Sequence, residues 1–169
     1  NKFGGYRLAL KHWQVDLWPL ASTWAFRHGH VAGVGFSTLP RTTFLNIDAV
    51  CFELNNERLY CLPGYMQAIE ERLLDINLKT NPNPAGCVAR VLRAYRYDDF
   101  SLSSKLAGYL VHHYKSANAN ALRDAWLSNT GGKESWAEIQ GELINVQRHV
   151  QETPLLTFIS ASKKTVRYS

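Results

Sequence analysis

Apolar residues recur at every second position at the start of the chain and at helical spacing from its middle onward. From Phe3 to Leu20 the pattern predicts a β-hairpin: Tyr6, Leu8 and Leu10 alternate with Arg7, Ala9 and Lys11. In the second arm Val15 and Leu17 alternate with Asp16 and Trp18. The polar link around Lys11 and His12 is short enough to join antiparallel neighbours, and Gly4 and Gly5 ease the backbone into the first arm. Thr23 to Pro40, with Gly29, Gly33 and Gly35, reads as loop with one short helical piece. Phe44 to Leu54 reads as a nearly continuous apolar strand, interrupted by Asn46 and Asp48 and turned through Asn55 and Asn56 to a partner at Leu59 to Leu62.

After Pro63 the period changes from two to about 3.6. Met66, Ile69, Leu73 and Ile76 predict a helix running to about Lys79, ended by the Thr80 to Pro84 loop. Val88, Val91, Leu92 and Tyr95 mark a second helix, with Arg90 and Arg93 on its other side. Leu102, Leu106, Tyr109, Leu110 and His113 mark a third. Leu122, Ala125 and Trp126 mark a fourth, closed by Gly131 and Gly132. Ser135 and Glu138 have capping-box spacing ahead of Ile139, Leu143, Val146 and Val150, a fifth. Beyond Pro154 an apolar run leads to Lys163, Lys164 and Arg167, an edge strand or a loose basic tail. The expected architecture is therefore α+β: a small antiparallel sheet in residues 1–62, a helical part in 63–153, and a terminal segment in 154–169.

Composition narrows the chemistry. With 46% hydrophobic and 20% charged residues, five Trp and eight Tyr, the chain is globular rather than disordered. A net charge of +5 suits a polyanionic partner such as RNA or a nucleotide. Cys51, Cys61 and Cys87 are odd in number and widely spaced, which suggests neither a disulfide framework nor a zinc knuckle. No apolar run is long enough for a membrane span and no signal region opens the chain, so a soluble cytoplasmic protein without a membrane partner is expected. The chain begins at Asn1 inside a strand-like pattern, which raises the expectation of a partial chain. No phosphate-binding glycine loop, nucleophile elbow or zinc-protease helix occurs. His28-Gly29-His30 lacks a neighbouring Cys or carboxylate to complete a metal shell, and His112 and His113 point to different helix faces.

One residue stands out. Asp16 interrupts an apolar strand and projects from the face opposite Val15 and Leu17. A strand holds a carboxylate rigidly, as a metal ligand in phosphoryl transfer requires; the plainer alternatives are solvent exposure on an uncovered sheet or a cap for a neighbouring loop. Arg90 and Arg93, three apart on one helical face, are spaced to address a single ligand, or else form a solvated basic face or pair with Asp98 and Asp99.

Three segments occur in an order that resembles a known family: Phe3-Gly4-Gly5-Tyr6-Arg7 through Val15-Asp16-Leu17, then Arg41-Thr42-Thr43-Phe44-Leu45-Asn46-Ile47-Asp48-Ala49-Val50, then Ala89-Arg90-Val91-Leu92-Arg93-Ala94-Tyr95-Arg96-Tyr97. They resemble the head and neck of class II CCA-adding enzymes and bacterial poly(A) polymerases, members of the nucleotidyltransferase superfamily with a DNA polymerase β-like palm. There a hairpin strand brings the third catalytic carboxylate, an Arg-Arg-Asp-Phe-Thr-Ile-Asn-Ala segment follows, and a Glu-Asp-x-x-Arg-x-x-Arg helix reads the base. The resemblance implies a partial palm in residues 1–62 and a neck and body in 63–153. It implies Asp16 as ligand of Mg2+ or Mn2+ and as base, and Arg90 and Arg93 on the nucleotide. Asp48 would touch the sugar or support the metal ligands, or else be a plain exposed strand aspartate, and Arg41 would meet the triphosphate, or else be a lone loop arginine. The substrate would be an NTP, and the acceptor a hydroxyl on an RNA 3′ end, a nucleotide or a protein. The family's first two carboxylates would lie before Asn1. Thr43 stands where the family has Asp, Asp48 where it has Asn, and Gly86-Cys87 where it has Glu-Asp, so selection of C and A is not carried over. The alternative is a non-catalytic nucleotide- or RNA-binding module, or one half of a split complex.

Overall fold

A computed structural model describes residues 5–116, 118–131, 135–152 and 158–159. The chain divides into two compact units. The first runs to Tyr65 and takes back Asn77–Thr80; the second holds Met66–Ile76 and the chain from Asn81 onward. Helix and strand are mixed, an α+β arrangement.

In the first unit β1 (Tyr6–Ala9) and β2 (Gln14–Leu17) form an antiparallel hairpin with Tyr6 opposite Leu17, Arg7 opposite Asp16 and Leu8 opposite Val15. Mutual backbone hydrogen bonds between Leu10 and Trp13 extend this register into the turn. Because side chains alternate across a strand, Tyr6, Leu8, Val15 and Leu17 share one face while Arg7, Ala9, Gln14 and Asp16 share the other. The apolar face stays open, with Tyr6 76% exposed. A short helix, α1 (Trp24–Arg27), follows, and the later hairpin pairs β3 (Val50–Glu53) with β4 (Arg58–Cys61). The strand expected from Phe44 to Leu54 is thus confined to its second half. Asn46–Asp48 is instead a 3-10 turn, in which the Asn46 side chain accepts the Ile47 N–H at 3.0 Å, a local bond that competes with sheet pairing. Phe44 and Leu45, whose apolar character contributed to the strand pattern, are both buried ahead of that turn.

The second unit contains helices and a small sheet of its own. The helix expected to reach Lys79 is only α2 (Tyr65–Glu70). Arg72 turns the backbone into the left-handed region at φ 50, and Leu73–Leu74 becomes strand β5. Strand β6 (Ser101–Ser103) pairs in parallel with β5 and antiparallel with β7 (Phe158–Ile159). Leu102, expected on a helix, is therefore a wholly buried strand residue. Past Pro154, residues 158–159 supply an edge strand; Lys163, Lys164 and Arg167 lie outside the described residues.

Four helices build the remaining core: α3 (Pro84–Tyr97), α4 (Ser104–Ser116), α5 (Ala119–Thr130) and α6 (Trp136–Glu152). Asn83 caps α3 by accepting the Gly86 N–H, and Pro84 occupies the first turn, where its missing N–H is harmless. The Ser103 hydroxyl accepts the Leu106 N–H and donates to Asp75 at 2.6 Å, which starts α4 directly at the end of β6. Val88, Val91, Leu92, Leu106, Leu110, Leu122, Trp126, Ile139 and Leu143 are buried nearly completely. Among the described residues no helix is long and apolar enough to cross a membrane.

Candidate functional site

The β1–β2 register sets Arg7 and Asp16 side by side on the polar face of the hairpin. Arg7 donates from Nε to Asp16 Oδ1 at 2.7 Å and from Nη2 to Oδ2 at 2.9 Å, the forked geometry that a planar guanidinium offers a carboxylate. Both side chains remain open to solvent, Asp16 at 37% and Arg7 at 54%. The hydrogen bonds from Arg7, with its positive charge behind them, hold the Asp16 carboxyl below the usual carboxylate range against a smaller opposing effect of burial. The same pair raises the Arg7 pKa. Asp16 is consequently a fully ionised, oriented surface carboxylate at neutral pH.

One carboxylate is not a magnesium site. Among the described residues no three His, Cys, Asp or Glu side chains come together as a metal shell, and both Asp16 oxygens accept from Arg7. The described donor set therefore does not by itself fit the Mg2+ or Mn2+ that the sequence resemblance implies.

The segment around Arg41 and Asp48 is shaped by backbone-directed hydrogen bonds. Arg41 lies exposed in a 3-10 turn, Leu39–Thr42. The Thr43 hydroxyl lies 3.0 Å from the Pro40 carbonyl and 3.1 Å from that of Leu45. Asn77 then binds the segment from outside, its Nδ2 donating to the Pro40 carbonyl at 2.9 Å and the Thr43 carbonyl at 3.0 Å. Asn77 N–H and Leu78 N–H donate to the Phe44 and Thr43 carbonyls. Asp48 ends the following 3-10 turn, half-buried between buried Leu45 and Ala49. The Thr43 hydroxyl thus serves its own loop.

In the second unit α3 presents Arg90 and Arg93 on its exposed side, while Val88, Val91, Leu92 and Tyr95 face inward. Arg96, on the same helix, behaves differently. Its Nη2 donates to Glu138 at 2.7 Å and its Nη1 to Glu142, both on α6, and its side chain is only 12% exposed. Arg96 is a structural clamp, distinguished from exposed Arg90 and Arg93 by its burial and its two carboxylate partners on α6. Burial, with the Glu142 charge adding to it, raises the Tyr95 pKa.

Two participants were overlooked in the sequence. Arg7 was legible in principle, since counting back across the turn from Asp16 lands on it; Asn77 was not, because its partners lie more than thirty positions away. No protein family, curated protein or solved structure matches this chain.

Proposed function

We propose that this chain is the carboxylate-bearing hairpin and neck of a nucleotidyltransferase, moving a nucleoside monophosphate from an NTP to a hydroxyl on an RNA 3′ end, a nucleotide or a protein. The observation that carries this reading is the hairpin register, which holds Asp16 rigidly on a strand as an ionised carboxylate; its exposure on the polar face is equally what a plain surface aspartate would show. Arg7 limits the rotamers open to Asp16 and keeps it charged. Arg90 and Arg93 are the groups that would hold the nucleotide, since guanidinium donors match phosphate oxygens and base edges. The reading requires further carboxylates beyond those described; with them, Mg2+ or Mn2+ would supply charge neutralisation at the phosphates.

The engagement of both Asp16 oxygens by Arg7 favours a second reading, a non-catalytic nucleotide- or RNA-binding module. Calorimetry of the chain with ATP or CTP, with and without Mg2+, separates the two. Binding that needs Mg2+ and is lost in Asp16→Ala supports the transferase lineage. Metal-independent binding lost in Arg90→Ala and Arg93→Ala supports the module; absence of NTP binding in both conditions refutes the transferase, and absence of binding to a single-stranded RNA oligonucleotide as well refutes the module.

A further inference from the structure

The turn after α1 brings together two histidines that the sequence set aside as a metal site for want of a neighbouring Cys or carboxylate. His30 N–H donates to the Ala25 carbonyl at 2.9 Å and Gly29 N–H to the Phe26 carbonyl at 3.1 Å, the paired bonds of a Schellman helix end. Gly29 takes the left-handed conformation this motif needs, φ 68. The chain reverses there, and the side chains on either side of Gly29 are delivered onto Trp24. The His28 ring centroid lies 4.9 Å from that of Trp24, the His30 centroid 4.6 Å, and the two imidazoles are 6.3 Å apart with planes only 12° from parallel. Rings on opposite faces of one indole would stand at least about 7 Å apart at van der Waals contact, so both imidazoles lie side by side on the same face.

The tautomer of one of them is fixed. His28 Nδ1 lies 2.8 Å from the Trp24 carbonyl; a carbonyl only accepts, so Nδ1 carries the proton and the neutral ring offers its lone pair at Nε2. A backbone carbonyl holding the far nitrogen in this way is the usual support of a metal-binding histidine. Metal–nitrogen bonds of about 2.0–2.1 Å place two imidazoles on one ion at centroid separations of roughly 4.5 to 6.5 Å. The observed 6.3 Å lies at the open end of that range, which is reached only when the two donor nitrogens turn toward each other and take opposite sides of the ion. That arrangement suits the tetragonal N and O geometry of Cu2+ or Ni2+ better than the tetrahedral geometry of Zn2+. Both histidines are exposed, so water has access to the remaining positions.

We propose that His28 and His30, arrayed on Trp24 by the Gly29 turn, form a two-imidazole chelate for a divalent transition-metal ion of the copper or nickel type. The site is independent of Asp16 and of the reading given above, so either can fail without the other. The test titrates the full chain with Cu2+, following quenching of tryptophan fluorescence and the nitrogen splitting in the electron paramagnetic resonance spectrum. One equivalent is expected to bind, with Ni2+ weaker and Mg2+ inert. His28→Ala and His30→Ala are each expected to weaken Cu2+ at least about tenfold, while His112→Ala leaves it unchanged. His30→Phe keeps a ring over Trp24 and removes the nitrogen, which separates loss of a ligand from loss of stacking; it should weaken Cu2+ as His30→Ala does. Undiminished binding in either alanine variant, or binding only above about 1 mM, overturns the proposal.

Discussion

Trp126 gives the sharpest test of the helical core. It lies on α5, is completely buried, stacks on Tyr97 with ring planes 10° apart, and its Nε1–H has no hydrogen-bond partner among the described residues. Trp126→Phe keeps an aromatic ring and deletes the N–H. Two effects then oppose each other. The smaller ring forfeits apolar burial worth about 1 kcal/mol and leaves a cavity worth about another 1 kcal/mol. Against this, an orphaned buried donor destabilises the folded state by about 1–3 kcal/mol, which the substitution relieves. The net change is expected to lie within about 1 kcal/mol of zero, whereas Trp126→Ala should destabilise by about 3–5 kcal/mol. Urea denaturation followed by far-ultraviolet circular dichroism measures both, provided the slopes match that of the parent chain. A loss of about 3 kcal/mol or more for the phenylalanine variant would mean that the indole N–H is satisfied in solution, and the reasoning would fall.

Other outcomes follow from single groups. Because Arg7 depresses the Asp16 pKa, the pair's contribution to stability is present at neutral pH and is lost as pH falls through the lowered folded value; carboxyl-carbon NMR should show Asp16 titrating below ordinary aspartates, and Arg7→Ala should move it back up. Burial pushes the Tyr109 hydroxyl up to about 12, so its contribution is intact below the unfolded value near 10 and disappears as pH rises through the folded one. Absorbance at 295 nm should therefore show one tyrosine ionising above the ordinary range that Tyr109→Phe removes, and Tyr109→Phe should reduce the alkaline loss of stability. Gly131 ends α5 in the left-handed region at φ 66 with open space around its missing Cβ. Gly131→Ala is accordingly expected to destabilise by about 1 kcal/mol through backbone strain alone, visible as a lowered Tm.

The nucleotidyl-transfer reading rests on residues whose placement was only partly readable beforehand. Alternation alone put Asp16 on the polar face of a hairpin, and the register puts it there. Its engagement by Arg7 required knowing which residues the turn sets opposite each other. Arg90 and Arg93 fell on the exposed side of α3 because the inward side was already claimed by Val88, Val91, Leu92 and Tyr95. Asp48 was expected within a strand and sits in a 3-10 turn instead, where the Asn46 side chain takes up the Ile47 N–H locally rather than leaving it to a sheet.

What the sequence determined by itself was whatever neighbouring residues encode: the hairpins and the helices α3 to α6, whose apolar stripes at helical spacing turned out to be the core. Tertiary structure alone decided the elements that exist only through distant partners. Leu73 and Leu74 read as helix by spacing, yet become strand because Ser101 and Leu102 lie alongside them. Asn77 closes the Pro40 to Leu45 segment from across the chain. The reason is physical: a helix satisfies its backbone within four residues, so its pattern is local. A strand or a loop clasp satisfies its backbone only with groups that folding brings from elsewhere.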